Sequence, residues 1–268
     1  MPAMPISPRN MQEAAAPIDR AGVDAGLAAL DGAADFAAAE AALRAIADAI
    51  AMPVLAWAPD VSRPDLDPQM DAFFRRGGWT DEVLALWWDR NVMLKSPLYI
   101  RCRTGNMPFV TGPSDKLPAR PAELRKIGAA IQGMGVRSLI TTPIHLPRGL
   151  VAMITWGGPL SKAEARAVLA QARPALLAAG YLFMHAWQAS AAAIPSSEEE
   201  LTRLTPREWE CLRFTAQGNR EEQVAAMLGL GGTTVRYHLD NVVRKLGATN
   251  RVHAVALAAQ LGLIGPIG

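Results

Sequence analysis

The sequence is poor in cysteine: Cys102 and Cys211 are its two, far apart and in different segments. That argues against a disulfide scaffold. With no CxxC pair, and four histidines (His145, His185, His238, His253) scattered without ligand spacing, it argues against a zinc site as well. Reduced, buried thiols are the reading that remains. No charge of one sign dominates. A net charge of +2 speaks neither for nor against nucleic acid, because a small basic module can hide inside a balanced chain. Long apolar runs are missing too: the longest, Ala175 to Trp187, is about thirteen residues and carries His185, against the roughly twenty that a bilayer demands. The start, MPAMPISPRNMQEAAAPIDRAG, lacks a basic stretch followed by an apolar one and does not read as a signal peptide, so a cytoplasmic, membrane-free location is expected. No nucleophile–base set, metal cluster or phosphate loop is legible, so neither an enzyme nor a bound cofactor is expected.

What the chain does have is apolar bulk and order. At 268 residues with 50% hydrophobic content it can bury the cores of two ordinary domains. Residues 1–20 hold four prolines and no periodicity, which reads as a loose arm. Asp35 to Ile50 carries Phe36, Leu43, Ile46 and Ile50 at helical spacing, and Pro53–Ala58 reads as a strand. Thr80–Met93 and Pro97–Thr104 read as helices and Phe109–Thr111 as a strand fragment. Leu117–Met134 reads as a helix stopped by Gly-Met-Gly.

Ser138–Leu146 and Leu150–Trp156 form an expected hairpin around Pro-Arg-Gly. A capping box at Ser161–Glu164 then opens a long helix toward Trp187, with a kink expected at Pro174. The fold class expected is α+β: an N-terminal α-β-α sandwich around an antiparallel sheet, followed by a C-terminal all-α four-helix helix-turn-helix domain. The domain boundaries expected are 21–188 for the first, 189–200 for a linker of small and acidic residues, and 201–268 for the second.

The C-terminal segment is the most informative. Thr205 can cap a helix, Pro206 fits its first position, and Glu208 can reach back to complete a box. Leu212 and Phe214 face a core, Gly218 ends the helix, and a second runs from about Arg220 to Leu228, closed by Gly229. The third, Thr233–Leu246, carries an apolar stripe of Val235, Leu239, Val242, Val243 and Leu246. A fourth spans about Val252–Leu261. The strings LTPREWECLRFTAQGN, VAAMLGL, TTVRYHLDNVVRKLG and NRVHAVALAAQLGLI together resemble the LuxR-type DNA-binding domain across its whole length.

The resemblance implies that the third helix enters the major groove of double-stranded DNA and that the domain works as a homodimer. The residues it marks for DNA are Thr234, Arg236, Tyr237, Asp240, Arg244 and Lys245. Arg236 suits guanine. Asp240 stands where the family often has a basic residue, and either accepts from cytosine N4 or stays solvated and repels phosphate. Arg213, Arg244, Lys245 and Arg251 suit phosphate, within a module holding eight Lys and Arg against five Asp and Glu. Gly231 and Gly232 depart from the family's capping Ser and polar residue, a change that costs only a few tenths of a kcal/mol at the cap. RNA polymerase is a further partner if the chain activates transcription.

The segments AFFRRGGWTDEVLALWWDRNVMLKSP and GMGVRSLITTPIHLPRGLVAMITW resemble the family's acyl-homoserine-lactone-binding domain rather than a receiver domain. Aligned on Pro97, the ligand-binding aspartate falls on Ser96, the pocket tyrosine on Trp87 and the lactone-contacting tryptophan on Val83. A second tryptophan falls on Thr111, a glycine on Leu139, and a pocket Ser or Thr on Thr155. The bland reading of Trp87, Trp88, Met93 and Met153 is core packing. The functional reading is a remodelled pocket for a small-molecule effector that is not a standard acyl-homoserine lactone. A lactone receptor with an unusual pocket and a ligand-independent regulator stay open beside it. The long helix, with Leu169, Leu176, Leu177 and Phe183, is the expected dimer seam.

Overall fold

The structure, a computed structural model, describes residues 18–63, 68–113, 115, 122–190 and 204–264. The expected N-terminal arm up to residue 17, the first turn of the helix expected from Leu117 and linker residues 191–200 lie outside these. The chain divides into two compact units, one of Met1–Ile144 with Val151–Ala191 and one of Ala192–Gly268 with His145–Leu150.

In the first unit the elements run α1 (Arg20–Asp31), α2 (Phe36–Ala49), β1 (Val54–Ala58), α3 (Pro68–Arg76), α4 (Asp81–Trp87) and α5 (Arg90–Met93). They continue through α6 (Pro97–Thr104), β2 (Phe109–Thr111), α7 (Ala122–Gly133), β3 (Ser138–His145), β4 (Val151–Gly158) and α8 (Lys162–Ser190). The four strands form a sheet in the order β1-β4-β3-β2. β1 lies antiparallel to β4 with Ala56 opposite Thr155, and β2 lies antiparallel to β3 with Thr111 opposite Leu139. This is the sandwich expected from the element order.

Strand alternation sends the side chains to two different covers. On one face Trp57 meets Phe36 of α2, Phe183 of α8 and Phe73 of α3 at ring-centroid distances of 5.9, 5.3 and 5.9 Å. Here α8 comes close to β3: a Cβ on Gly180 would stand 2.9 Å from Ile144 Cδ1, so a larger residue would require the Ile144 side chain to shift. The opposite face carries Leu139, Thr141 and Thr155 under α4–α7.

The capping box of α8 forms in both directions, Ser161 N donating to Glu164 at 2.7 Å and Glu164 N to Ser161 Oγ at 3.3 Å. The helix runs on through Pro174 to Ser190. It is long and apolar enough to cross a membrane by length and composition. Its Leu169, Leu176 and Phe183 are buried against the unit's own helices and sheet. The seam expected on Leu169, Leu176, Leu177 and Phe183 is therefore corrected for the three buried ones, which are spent on this unit's core; Leu177 is half-buried, and the outward side shows Arg166, Arg173 and Tyr181.

Three local differences from expectation have physical causes. The Thr80–Met93 helix breaks at Trp88–Asp89, because two consecutive indoles serve different partners: Trp87 packs on Trp79 at 5.1 Å and Trp88 on Phe74 at 5.7 Å. α3 is a short helix whose Met70, Phe73 and Phe74 share one face, too brief for periodicity to declare itself. α1 is an Ala-rich helix begun by Asp19, whose side chain accepts from Gly22 N at 3.0 Å.

The second unit has α9 (Pro206–Ala216), α10 (Glu221–Leu228), α11 (Gly232–Lys245) and α12 (Arg251–Gln260). Two small cores hold it. Cys211, Val224, Val235 and Leu239 pack on one side, and Leu212, Val242, Ala254, Ala258 and Ile264 on the other. The turn between α10 and α11 pivots on Gly229, whose φ of 64° is cheap only for glycine. Trp209 Nε1 ties the end of the unit to its start by donating to Leu263 O at 2.7 Å.

Within the first unit, Glu40 is 6% exposed and joins α2 to α3. It accepts from Arg44 Nε at 3.0 Å and Arg76 Nε at 2.9 Å, while Arg44 Nη2 also donates to Phe73 O at 2.9 Å. Burial alone would raise the Glu40 pKa, but the bonds from Arg76 and Arg44 outweigh it and hold it below the ordinary value. A depressed carboxylate stabilises the fold above its unfolded pKa and loses that contribution as pH falls through the folded one. Glu40→Gln should therefore cost roughly 1–3 kcal/mol of urea stability at neutral pH. At about pH 3, below the ordinary glutamate value near 4.3, the difference should be much smaller. An equal loss at both pH values would contradict the ion-pair account.

Candidate functional site

On the sheet face that carries Leu139, the first unit holds a half-open cavity of about 250 Å³. Its wall is built from the end of α4 (Trp87), from α5 (Met93) and from the start of α6 (Ser96, Pro97, Leu98, Arg101). The stretch after β2 (Thr111 to Pro113 and Asp115), α7 (Leu124, Ile127, Gly128, Ile131) and Leu139 of β3 complete it. Four of the sequence-derived pocket residues, Trp87, Ser96, Thr111 and Leu139, thus come together in one wall. Val83 and Thr155 do not line it. Val83 is buried in the first turn of α4, which Thr80 caps, and the Thr155 hydroxyl is paired with that of Thr141 at 3.0 Å. Leu139 stands on the same strand face as Thr141 and fills the space over Gly157, where a Cβ would lie 3.1 Å from Leu139 Cδ2. The branched side chain accordingly closes the cavity on the sheet side.

Sequence reading missed the α7 wall, although Leu124, Ile127 and Ile131 stand at helical spacing. Residues of that kind read as ordinary core until a neighbouring helix leaves a gap. It also missed the charges at the rim. Asp115 Oδ1 pairs with Lys162 Nζ at 2.7 Å and Oδ2 accepts from Gly112 N at 3.0 Å. Arg101 is exposed and its guanidinium lies over the Phe109 ring at 4.1 Å. Away from the cavity, burial pushes the Cys102 thiol of α6 up to about 12, so it is a neutral, apolar part of the core.

In the second unit, α9 begins with a complete box: Thr205 N donates to Glu208 Oε2 at 2.8 Å and Glu208 N to Thr205 Oγ1 at 3.3 Å. Glu208 is 3% exposed and also accepts from Lys245 Nζ at 2.6 Å. Burial would raise its pKa; the bonds from Lys245 and Thr205 hold it below the ordinary value. Lys245 is thereby an anchor between α9 and α11, a role the sequence did not disclose.

α11 presents Thr234, Arg236, Tyr237, Asp240 and Arg244 along one exposed side, opposite buried Val235, Leu239 and Val242. Two of these have partners across the unit. Arg236 Nε donates to Glu221 Oε2 at 3.1 Å, and Asp240 Oδ1 accepts from Arg251 Nη2 at 2.9 Å. Arg251 also pairs with Glu221. Arg244 donates to Asn241 at 2.7 Å, and Tyr237, at 64% exposure, is an open aromatic side chain on the same helix.

Known proteins share both units. The autoinducer binding domain family matches residues 35–186, and the family described as bacterial regulatory proteins, luxR family, matches residues 202–258. The transcriptional activator protein BjaR1 of Bradyrhizobium diazoefficiens is 36% identical over 125 residues, 46% of this chain and 48% of that protein. The transcriptional activator protein ExpR of Dickeya dadantii is 37% identical over 73 residues, 27% of this chain and 29% of that protein. The chain thus spans less than half the length of these curated relatives. Among solved structures, SdiA of Escherichia coli shares the fold with a TM-score of 0.55 at 14% identity, over 91% of this chain and 98% of that one. With the autoinducer binding domain family matching more than half of its residues and the luxR family the helix-turn-helix, the chain belongs to the LuxR family of bacterial regulatory proteins, a family of regulators and not of enzymes.

Proposed function

We propose that this chain is a cytoplasmic, DNA-binding transcriptional regulator that occupies an inverted repeat as a homodimer. Its effector is a small molecule other than a standard acyl-homoserine lactone, held in the cavity between α4–α7 and the sheet. The working parts are a sensor over 21–188, a linker over 189–200 and a DNA-binding domain over 201–268. The observation that carries the ligand reading is the cavity wall. Ser96 replaces a carboxylate, and Leu139 fills the space that glycine would leave open. A charge-assisted bond to a ligand amide is worth about 1.5–3 kcal/mol, so its loss alone weakens a lactone roughly tenfold or more.

On the DNA side, Thr234, Arg236, Tyr237 and Arg244 are the residues for groove and phosphate contact. Asp240 positions Arg251 for phosphate rather than reading a base, and Lys245 acts mainly through its pair with Glu208.

These readings have separate tests. Footprinting on the chain's own promoter should protect two half-sites about one helical turn apart; a single occupied half-site would contradict dimeric binding. Arg236→Ala should cost about 1–3 kcal/mol on the true site and relax base preference there. An equal loss on random DNA would reduce it to a phosphate contact. Short- and long-chain acyl-homoserine lactones at micromolar concentration should leave the melting temperature unchanged. A clear rise, which ligand well above its dissociation constant produces, would instead establish a lactone receptor.

A further inference from the structure

The side of the cavity formed by α6 is built for negative charge. α1, α2, α4, α9 and α12 are each capped by a side-chain bond, from Asp19, Asp35, Thr80, Thr205 and Asn250, while α10 and α11, begun by Arg220 and Gly231, are not. Ser96, at the N-cap of α6, makes no such bond, is 6% exposed and lines the cavity. The positive end of α6 therefore faces the cavity uncapped by its own residue. One turn on, Arg101 lines the same wall. Its guanidinium lies over the Phe109 ring at 4.1 Å, on the wall it shares with Ser96. Stacking over Phe109 leaves the guanidinium's edge donors available, and no carboxylate among the described residues pairs with it. The other charged lining residue, Asp115, is neutralised by Lys162. The unbalanced charge in this wall is positive, and the rest of the lining is largely apolar.

We propose that the cavity takes a small amphiphilic carboxylate, an aryl or short acyl acid. Its anion is received by the Ser96 hydroxyl, the first turn of α6 and Arg101, and its apolar part lies between α7 and Leu139. This rests on the cavity being the effector site. At about 250 Å³ the cavity falls below the roughly 300–1,000 Å³ of drug-sized sites, which sets the ligand's size. A carboxylate at a helix N-terminus beside an arginine gains charge-assisted bonds that an ester or amide of the same shape cannot make.

The experiment is titration of the full chain with phenylpropanoate, its methyl ester and its primary amide, by tryptophan fluorescence and thermal shift. The acid should bind about tenfold or more tightly than either neutral analogue. High salt should weaken the acid alone. Arg101→Gln should erase the preference and Arg101→Lys keep part of it. Ser96→Asp supplies the carboxylate from the chain itself. It should cap α6, hold or raise the melting temperature of the unliganded protein, and abolish the response to acid. Equal binding of acid and ester, a preference that survives Arg101→Gln, or no binding of the acid at millimolar concentration would overturn the proposal. If acyl-homoserine lactones stabilise the protein, the effector reading itself fails. If they are inert and the acid is no better than its ester, only the present inference fails.

Discussion

A sheet buried on both faces has to be covered twice, and in this chain the two covers are made of different material. On one side a single 29-residue helix, joined by α2 and α3, brings large rings that fill the space against Trp57. Its close seat is eased by Gly180, since a Cβ there would press the Ile144 side chain aside. On the other side the cover is four shorter helices, α4 to α6 following one another through tight breaks and α7 coming after β2. Such pieces cannot interdigitate as one long helix does, and the gap they leave is the cavity. Packing density in protein interiors is high enough that a void of this size is a feature of the site rather than slack.

Legibility in the sequence followed the same division. Where one element satisfies its own local chemistry, the residues announced it. The box at Thr205–Glu208, the box at Ser161–Glu164 and the apolar stripe of α11 lie where the spacing placed them. The strand over Phe109–Thr111 likewise keeps the limits its composition suggested. What stayed hidden depends on partners distant in the chain. Glu40 reaches Arg76, Lys245 reaches Glu208 and Arg251 reaches Glu221, and nothing local to any of them names its partner. The cavity was half legible. Resemblance pointed to Trp87, Ser96, Thr111 and Leu139, but the α7 wall and Arg101 carry no motif, and Thr155 turned out to be occupied by Thr141.

The helix-turn-helix unit shows how a nearly neutral chain can carry a locally basic module. Its acidic residues are not spread against its basic ones at random. Glu208 is buried under Lys245, and Glu221 sits between Arg236 and Arg251. Each exposed pair is worth little in water, so together they fix side-chain directions more than they add stability. In the proposed DNA complex, phosphate would replace Glu221 as the partner of Arg236 or Arg251, one contact exchanged for another. The salt dependence of binding should then be shallower than a count of eight basic residues suggests.

The central claim is that the cavity, and not the sheet or its aromatic cover, is where a small molecule controls this regulator. A gel-shift titration on the chain's own promoter, with and without a small-molecule extract of the host, tests it directly when run beside Leu139→Trp. That substitution enlarges a side chain already in the cavity wall and leaves the second unit untouched. The account predicts that extract changes the DNA affinity of the unaltered chain severalfold and leaves that of Leu139→Trp unchanged. The same response in both proteins, or none in either, would contradict it.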